Sequence, residues 1–525
     1  MALLCVIRVV IGRSGSTSTL GRDLGRNGRS ARPSGELVPG GPWYRPAVLE
    51  VVLAWVLAWL PTIFGVLALL SVPSVLLQRQ GRPQAALSWL FAMFAVPYLT
   101  VPAWWFAGRT HLKRRKARRK HATDRFTGAL AGTRTRPPPR LSGVFPVLDL
   151  PAELRLAIYP PSAGNRTKLL VDGAAAYDAW EQAINEARDH VHLLFYIWNH
   201  DTTGKRLVAA LRAAVARGVE VRVLYDDVGT SGGRRTFSEL VREGGQARAF
   251  MPLRFRFFGP EINFRNHRKL LVADGRKAFL GGINVGDEYL GWHDVAVQVE
   301  GPAVDQAQEV FCDDWFFTTD ENLAAPRYFG CWEPAPTDPV EPGGDVDCAI
   351  VASGPGEVVN ATRELVFMAI TEARRRLWIM TPYLILDSAM VLALRAARYR
   401  GADVRVVVPA RSDIWLIRRA SRAFYPDLVA AGIRVFEYPG MVHAKAMLID
   451  EHLTMVGSAN MDTRSFRLNF ELTGFFASDR LNDSLRAVCE ADFAKSREVR
   501  REEISGRPSF TRMVDAAAHL LSPIL

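Results

Sequence analysis

Cysteine is scarce in this chain of 525 residues, and what there is shows no pattern. Cys5, Cys312, Cys331, Cys348 and Cys489 are odd in number, scattered, and without a Cys-x-x-Cys pair. That excludes a disulfide framework and a zinc ribbon, suits a reducing compartment, and predicts small buried apolar side chains. Acidic residues are nearly missing from the first 140 positions, which hold 21 Lys+Arg against 4 Asp+Glu, a net of +17. The whole chain has 66 against 54, so residues 141–525 hold 45 against 50, a net of −5. An overall +12 would suit a nucleic-acid binder, but an excess confined to one end argues otherwise. With 49% hydrophobic and 23% charged residues, the chain is neither disordered nor collagen-like and is long enough for two or three cores.

Charge is also absent from two long runs, Val51–Leu70 and Ala85–Phe106. Each is apolar on all sides and long enough, as a helix, to cross a hydrocarbon core of ~30 Å. Pro61, Pro97 and Pro102 would kink them, which membrane helices tolerate. Only Gln78–Gln84 separates the runs, so the expectation over residues 46–110 is a transmembrane helical hairpin. Residues 1–45 before it are basic and read as disordered. After it comes KRRKARRK (Lys113–Lys120), opening a basic and Pro-rich linker over 111–150. Positive charge at both ends places them on the cytoplasmic side and offers a contact for anionic headgroups. Trp43–Tyr44 and Trp104–Trp105 would then sit at the interface as an aromatic belt. The expected location is the cell inner membrane, multi-pass, with the remainder of the chain in the cytoplasm.

That remainder is a duplication. VHLLFYIW (Val191–Trp198) reads as a strand, Lys205–Arg217 as a helix and Val219–Asp227 as the next strand, which predicts an α/β layer structure. ALRAAVARGVEVRVL (Ala210–Leu224) returns as ALRAARYRGADVRVV (Ala393–Val407), and LLFYIW is answered by LWIMTPYL (Leu377–Leu384). The Pro/Gly/acidic stretch over 333–345 reads as a linker between lobes at 151–332 and 346–525. One duplication of long period means two similar lobes about a pseudo-two-fold, with equivalent residues face to face.

Each half repeats one constellation at identical spacing: His267, Lys269, Asp274, Gly281 and Asn284, then His443, Lys445, Asp450, Gly457 and Asn460. Five specified positions matched twice form a strong signal; a lone His-x-Lys would mean nothing. In a strand, His and Lys two apart share a face, whereas the odd offset puts Asp274 and Asp450 on the other face or beyond the strand end. Those two aspartates therefore read as ties for the turn, although they complete the motif. Two cations and two amides around one pocket suit a phosphoryl group gaining charge in its transition state. One neutral imidazole can attack phosphorus while the other, protonated, supplies the leaving alkoxide with a proton. Each imidazole then wants a carboxylate to hold its tautomer, and Asp294 and Glu471 stand at comparable distances, 27 past His267 and 28 past His443. No further His, Cys or carboxylate has metal-ligand spacing, so a metal-free, cofactor-free mechanism is expected.

These residues resemble the phospholipase D superfamily, with its paired His-x-Lys-x4-Asp motifs, and within it the bacterial cardiolipin synthases of phospholipase D type. FLGGINVGDEYLG (Phe279–Gly291), the Trp292-His293-Asp294 triplet, GPAVDQAQEVFCDDW (Gly301–Trp315) and TPYLILDSAM (Thr381–Met390) carry the closer likeness, which runs from Trp43 to the C-terminus. The resemblance implies a bilobed α/β sandwich with one active site at the lobe interface. It implies a catalytic set of His267, Lys269, Asp274, His443, Lys445 and Asp450, with His267 as the phosphohistidine. It also implies phosphate-binding by Asn284, Ser458 and Asn460, and His-orienting carboxylates Asp294 and Glu471. Gly282 occupies the position of Ser458, so the site should be asymmetric, and Asp294 replaces a Glu. The expected reaction is transfer of a phosphatidyl group between two phosphatidylglycerol molecules, giving cardiolipin and glycerol. Partners would be phosphatidylglycerol and anionic lipid, not nucleic acid. Hydrolysis to phosphatidic acid would use the same residues, and a nucleic-acid phosphodiesterase fits the charge distribution less well. The final DAAAHLLSPIL (Asp515–Leu525) is apolar enough to pack on the body or touch a bilayer.

Overall fold

The computed structural model describes residues 46–80, 83–105, 161–252, 264–330, 346–355 and 359–520. Residues 1–45, the whole 111–150 linker with its KRRKARRK, the 333–345 linker, Cys5, Cys331 and the last five residues lie outside them. The chain divides into two compact units, Met1–Leu69 and Leu70–Leu525.

A helix runs over Pro46–Gln78, and its Ala58–Gln78 portion is long and apolar enough to cross a membrane. The second apolar run is not one continuous helix long enough to cross a membrane. It is split into helices Pro83–Ala95 and Pro97–Ala103, with Val96 at φ −138° between them. Pro97 has no N–H to continue the ladder, and its ring disfavours a helical residue before it. Nor does Trp104 lie at a surface: it is buried, and it donates Nε1–H to Ser74 Oγ at 3.3 Å. Its half-exposed neighbour Trp105 donates to Ser71 Oγ at 2.9 Å.

The first half supplies strands β1 (Ser162–Val171), β2 (His190–Phe195), β3 (Glu220–Asp226), β4 (Gln246–Phe250), β5 (Arg265–Asn266), β6 (Leu270–Ala273), β7 (Lys277–Gly281) and β8 (Val295–Glu300). The second supplies β9 (Val346–Ser353), β10 (Arg376–Met380), β11 (Leu384–Ile385), β12 (Asp403–Pro409), β13 (Arg434–Tyr438), β14 (Ala446–Ile449), β15 (Leu453–Gly457), β16 (Met461–Asp462), β17 (Asn469–Ala477) and β18 (Arg497–Glu498). The order β1-β8-β7-β6-β2-β3-β4 is repeated as β9-β17-β15-β14-β10-β12-β13, and β18 closes the second edge. β1 and β9 pair antiparallel, so one continuous sheet spans both halves with the pseudo-two-fold at its centre. Strands β2, β3 and β4 are parallel, as are β10, β12 and β13, and the crossover helices Thr202–Ala216 and Ser388–Tyr399 start on Asp201 and Asp387 caps. Buried Val, Ile and Leu fill these strands because both sheet faces are covered.

One cluster around helix Ala303–Thr319 (Val310, Phe311, Trp315) reaches Val456 and Phe476 of the second half, so the halves share a core. Cys312, Cys348 and Cys489 are free and buried, as expected for small apolar side chains.

Candidate active site

The His-x-Lys segments are not strands. β6 begins at Leu270 and β14 at Ala446, so both His–Lys pairs sit just before a strand, where the chain crosses to the other lobe. β5 pairs with β17, and His267 N–H donates to Phe470 O at 2.9 Å. Symmetrically, Val442 bridges His293, and His443 N–H donates to His293 O at 2.7 Å. The carbonyls of His267 and His443 are capped by Lys269 Nζ (2.7 Å) and by Lys445 Nζ respectively, in place of a ladder bond.

This crossing decides the carboxylate partners. His267 Nδ1 lies 3.1 Å from Glu471 of the second lobe, and His443 Nδ1 lies 2.7 Å from Asp294 of the first. Sheet register makes the carboxylates equivalent: Gly282 N–H donates to Val295 O next to Asp294, as Ser458 N–H donates to Leu472 O next to Glu471. An ionised carboxylate only accepts, so each imidazole presents Nδ1–H to it and keeps the Nε2 lone pair for the pocket.

Both rings are buried, with Tyr196 against His267 (4.9 Å between centroids) and Trp292 against His443 (5.1 Å). Burial, with Lys269 nearby, lowers the His267 pKa to about 4 against the pull of Glu471. Burial and the Lys445 ammonium lower His443 to about 3 against Asp294. Burial also brings Lys445 down to about 8, and burial together with Lys445 presses Lys269 well below its usual value. Burial would raise Glu471, but His267 and Lys269 hold it below the usual carboxylate range; Lys445 and His443 do the same for Asp294. Lys445 also lowers His267, and Lys269 lowers His443, so the ammonium of each lobe acts on the imidazole of the other, as one site requires.

The remaining predicted residues divide. Asn284 Oδ1 accepts from the N–H of Ile197 at 3.3 Å, one residue after the Tyr196 that packs on His267. Asn460 is buried with Oδ1 unpartnered. The Ser458 hydroxyl donates to Glu471 Oε2 at 2.5 Å and accepts from Leu472 N–H at 2.9 Å, so it holds the carboxylate. Gly282 has no side chain for a steric reason, since a Cβ there would lie 2.3 Å from Asp294 Oδ1. Asp274 and Asp450 stand beyond the strand ends, away from the histidines, with φ of +54° and +50°. Asp274 accepts from the amides of Arg188, Asp189 and His190, and Asp450 from those of Arg374, Arg375 and Arg376. They fasten the entry of β2 and β10 to the neighbouring hairpin and make no contact with the His and Lys pairs in these bonds.

Two residues escaped the sequence reading. Arg268, between His267 and Lys269, is fully buried; it reaches Asp314 (2.5 Å), Glu471 O (3.1 Å) and Ser353 O (3.1 Å), strapping one lobe to the other. Its counterpart is Ala444, and that departure between two matched motifs was the available signal. His293 sits between Asp172 (Nδ1, 2.7 Å) and Asp492 (Nε2, 3.0 Å). Burial lowers its pKa, but the two carboxylates win and raise it to about 9, so it is an imidazolium at neutral pH.

The family model described as "Cardiolipin synthase, PLD-like domain" matches residues 181–315 and 366–493, once in each lobe. Cardiolipin synthase A of Pseudomonas putida (strain GB-1) is 38% identical over 460 residues, covering 84% of this chain and 93% of that protein. Cardiolipin synthase of Geobacillus thermodenitrificans (strain NG80-2) is 32% identical over 510 residues, covering 92% and 99%. Among solved structures, phosphatidylserine synthase of Haemophilus influenzae Rd KW20 superimposes with a TM-score of 0.51 at 15% identity, covering 69% of this chain and 95% of that one, a likeness of fold.

Proposed function

The chain belongs to the cardiolipin synthase family of phospholipase D-like proteins, and from that footing we propose that it transfers a phosphatidyl group from one phosphatidylglycerol to the hydroxyl of a second. The observation that carries this reading is the pair of His–carboxylate contacts crossing between lobes, which places two neutral imidazoles and two lysines in one buried site.

In the first step Nε2 of His267 attacks phosphorus, the bond from phosphorus to the glycerol headgroup breaks, and His443 gives that oxygen its proton. In the second, the acceptor's hydroxyl returns a proton to His443 and attacks phosphorus, the N–P bond breaks, and cardiolipin leaves. Lys269, Lys445 and Asn284 would meet the non-bridging oxygens, where charge gathers. Burial and the two lysines keep both rings neutral; an anionic phosphodiester offsets the lysines, so His443 takes up its proton as substrate binds.

Ala58–Gln78 and the split segment Pro83–Ala103 would cross the membrane as a hairpin with both ends cytoplasmic, and KRRKARRK would gather anionic headgroups. Held there, the pocket meets both reactants at high local concentration. The test is product analysis: the full chain in vesicles containing labelled phosphatidylglycerol should yield cardiolipin and glycerol in equal amounts. Phosphatidic acid as the sole lipid product would replace this reading with hydrolysis.

A further inference from the structure

The C-terminal helix Ser509–Leu520 lies along helix Trp415–Arg422. Asp515 and Ala518 form its buried face. Asp515 receives both Arg419 and Arg507 at 3.2 Å, and the His519 ring meets Phe424 at 4.8 Å between centroids, so its seat is fixed. The face turned away is unusual. Phe510, Met513 and Leu520 are 71%, 61% and 79% exposed, and Trp415 on the adjoining helix is 58% exposed. Single exposed apolar residues need no account, but four large ones on two adjoining helices do.

Charge says what could cover them. The two helices carry Arg418, Arg419, Arg422 and Arg512 against Asp515 and the buried Glu437 of β13 that pairs with Arg422, four minus two, or +2. A second copy docked across a two-fold would set arginine against arginine, whereas anionic headgroups complement the patch. Apolar side chains flanked by guanidinium groups are the composition of a helix lying in the headgroup layer. At Trp415 the patch approaches the active site through its chain neighbour Asp413. Asp413, two residues before Trp415, accepts the Tyr383 hydroxyl at 2.8 Å, and its charge reaches Lys445.

We propose that Trp415, Phe510, Met513 and Leu520 form a membrane-docking face, which sets the catalytic body down on an anionic bilayer beside the mouth of its pocket. This rests on the phosphatidyl-transfer reading, since a lipid must enter headgroup first. It gives the body a contact of its own, separate from the N-terminal helices. Within helix Ser509–Leu520 the two roles then divide: Asp515 and Ala518 pack on the body and the opposite face meets lipid.

The experiment uses the full chain with Cys5→Ser and Cys331→Ser, carrying one new cysteine at a time: Phe510→Cys, Met513→Cys, or the control Leu392→Cys. Leu392 is 65% exposed on helix Ser388–Tyr399, outside the patch. Each is labelled with an environment-sensitive fluorophore and reconstituted into vesicles of phosphatidylcholine and phosphatidylglycerol. Lipid-borne nitroxide should quench labels at 510 and 513 at least about twofold, leave 392 unchanged, and quench less in phosphatidylcholine alone. No quenching at 510 and 513, or equal quenching at 392, would overturn the proposal. So would an emission shift that follows protein concentration in lipid-free detergent, which would mark a second copy as the occupant. Quenching is read without turnover, so vesicles that quench but make no cardiolipin would count against the transfer reading alone.

Discussion

The two lobes carry the same five-residue motif at the same spacing, and yet the half-sites they build are unlike. His267 meets a glutamate that also takes the Ser458 hydroxyl and the Asn469 amide; His443 meets an aspartate at shorter range, beside a glycine that keeps the space open. Behind His267 lies the buried Arg268–Asp314 strap, and behind His443 the charged His293 between two carboxylates. Duplication supplied two equal halves, whereas a two-step transfer asks one imidazole to be nucleophile and the other acid. The differences gather around the two rings, where unequal roles would need them.

Removing either ring should have the largest effect. His267→Ala and His443→Ala should each lower kcat by about 10³-fold or more, and the double variant little further, because members of one catalytic unit are not additive. Independent half-sites would instead leave each single variant with about half the activity.

Next comes the strap. Arg268→Ala removes the guanidinium that balances the buried Asp314 charge and should cost about 3–5 kcal/mol, read as a lower unfolding midpoint. The matched position in the other lobe, Ala444, has no such charge to lose.

His293 gives a pH signature. Its folded pKa is raised to about 9 from 6.5, so its contribution is fully present below pH 6.5 and lost as pH rises through about 9. The size is at most about 3 kcal/mol, since one partner, Asp172, is partly exposed. His293→Asn should flatten the fall in stability between pH 6.5 and 9, and a variant that keeps the wild-type slope would place that dependence elsewhere.

Smallest is the Gly–Asp pairing. Gly282→Ala forces its Cβ onto Asp294 and should cost about 1–3 kcal/mol with a fall in kcat. Ser458→Ala removes one hydrogen bond to Glu471 and should cost about 1 kcal/mol.

The duplication, the His and Lys pairs and both orienting carboxylates were legible in the sequence because they repeat at fixed spacing, and spacing survives without coordinates. The crossing of partners was not, because 27 and 28 residues place Asp294 and Glu471 after their histidines but say nothing of which lobe each will face. The His–Lys segments looked like strands, since their residues suit one; the cross-lobe bonds that lift them out of the sheet are long-range. The resemblance implied phosphate-binding for Ser458, and its hydrogen bond to the Glu471 carboxylate at 2.5 Å left no mark in the spacing. Arg268 looked like one more positive charge in a basic-looking motif, because burial leaves no mark on composition. The break at Pro97 was announced by the proline, but the apolar count on either side outweighed it.

The most direct measurement is to trap the intermediate. His443→Ala, given a short-chain phosphatidylglycerol labelled in phosphorus, should accumulate covalent label that peptide mapping assigns to His267, while His267→Ala accumulates none. Label on His443 in the second variant would reverse the roles assigned to the lobes, and label on neither histidine would contradict the covalent account.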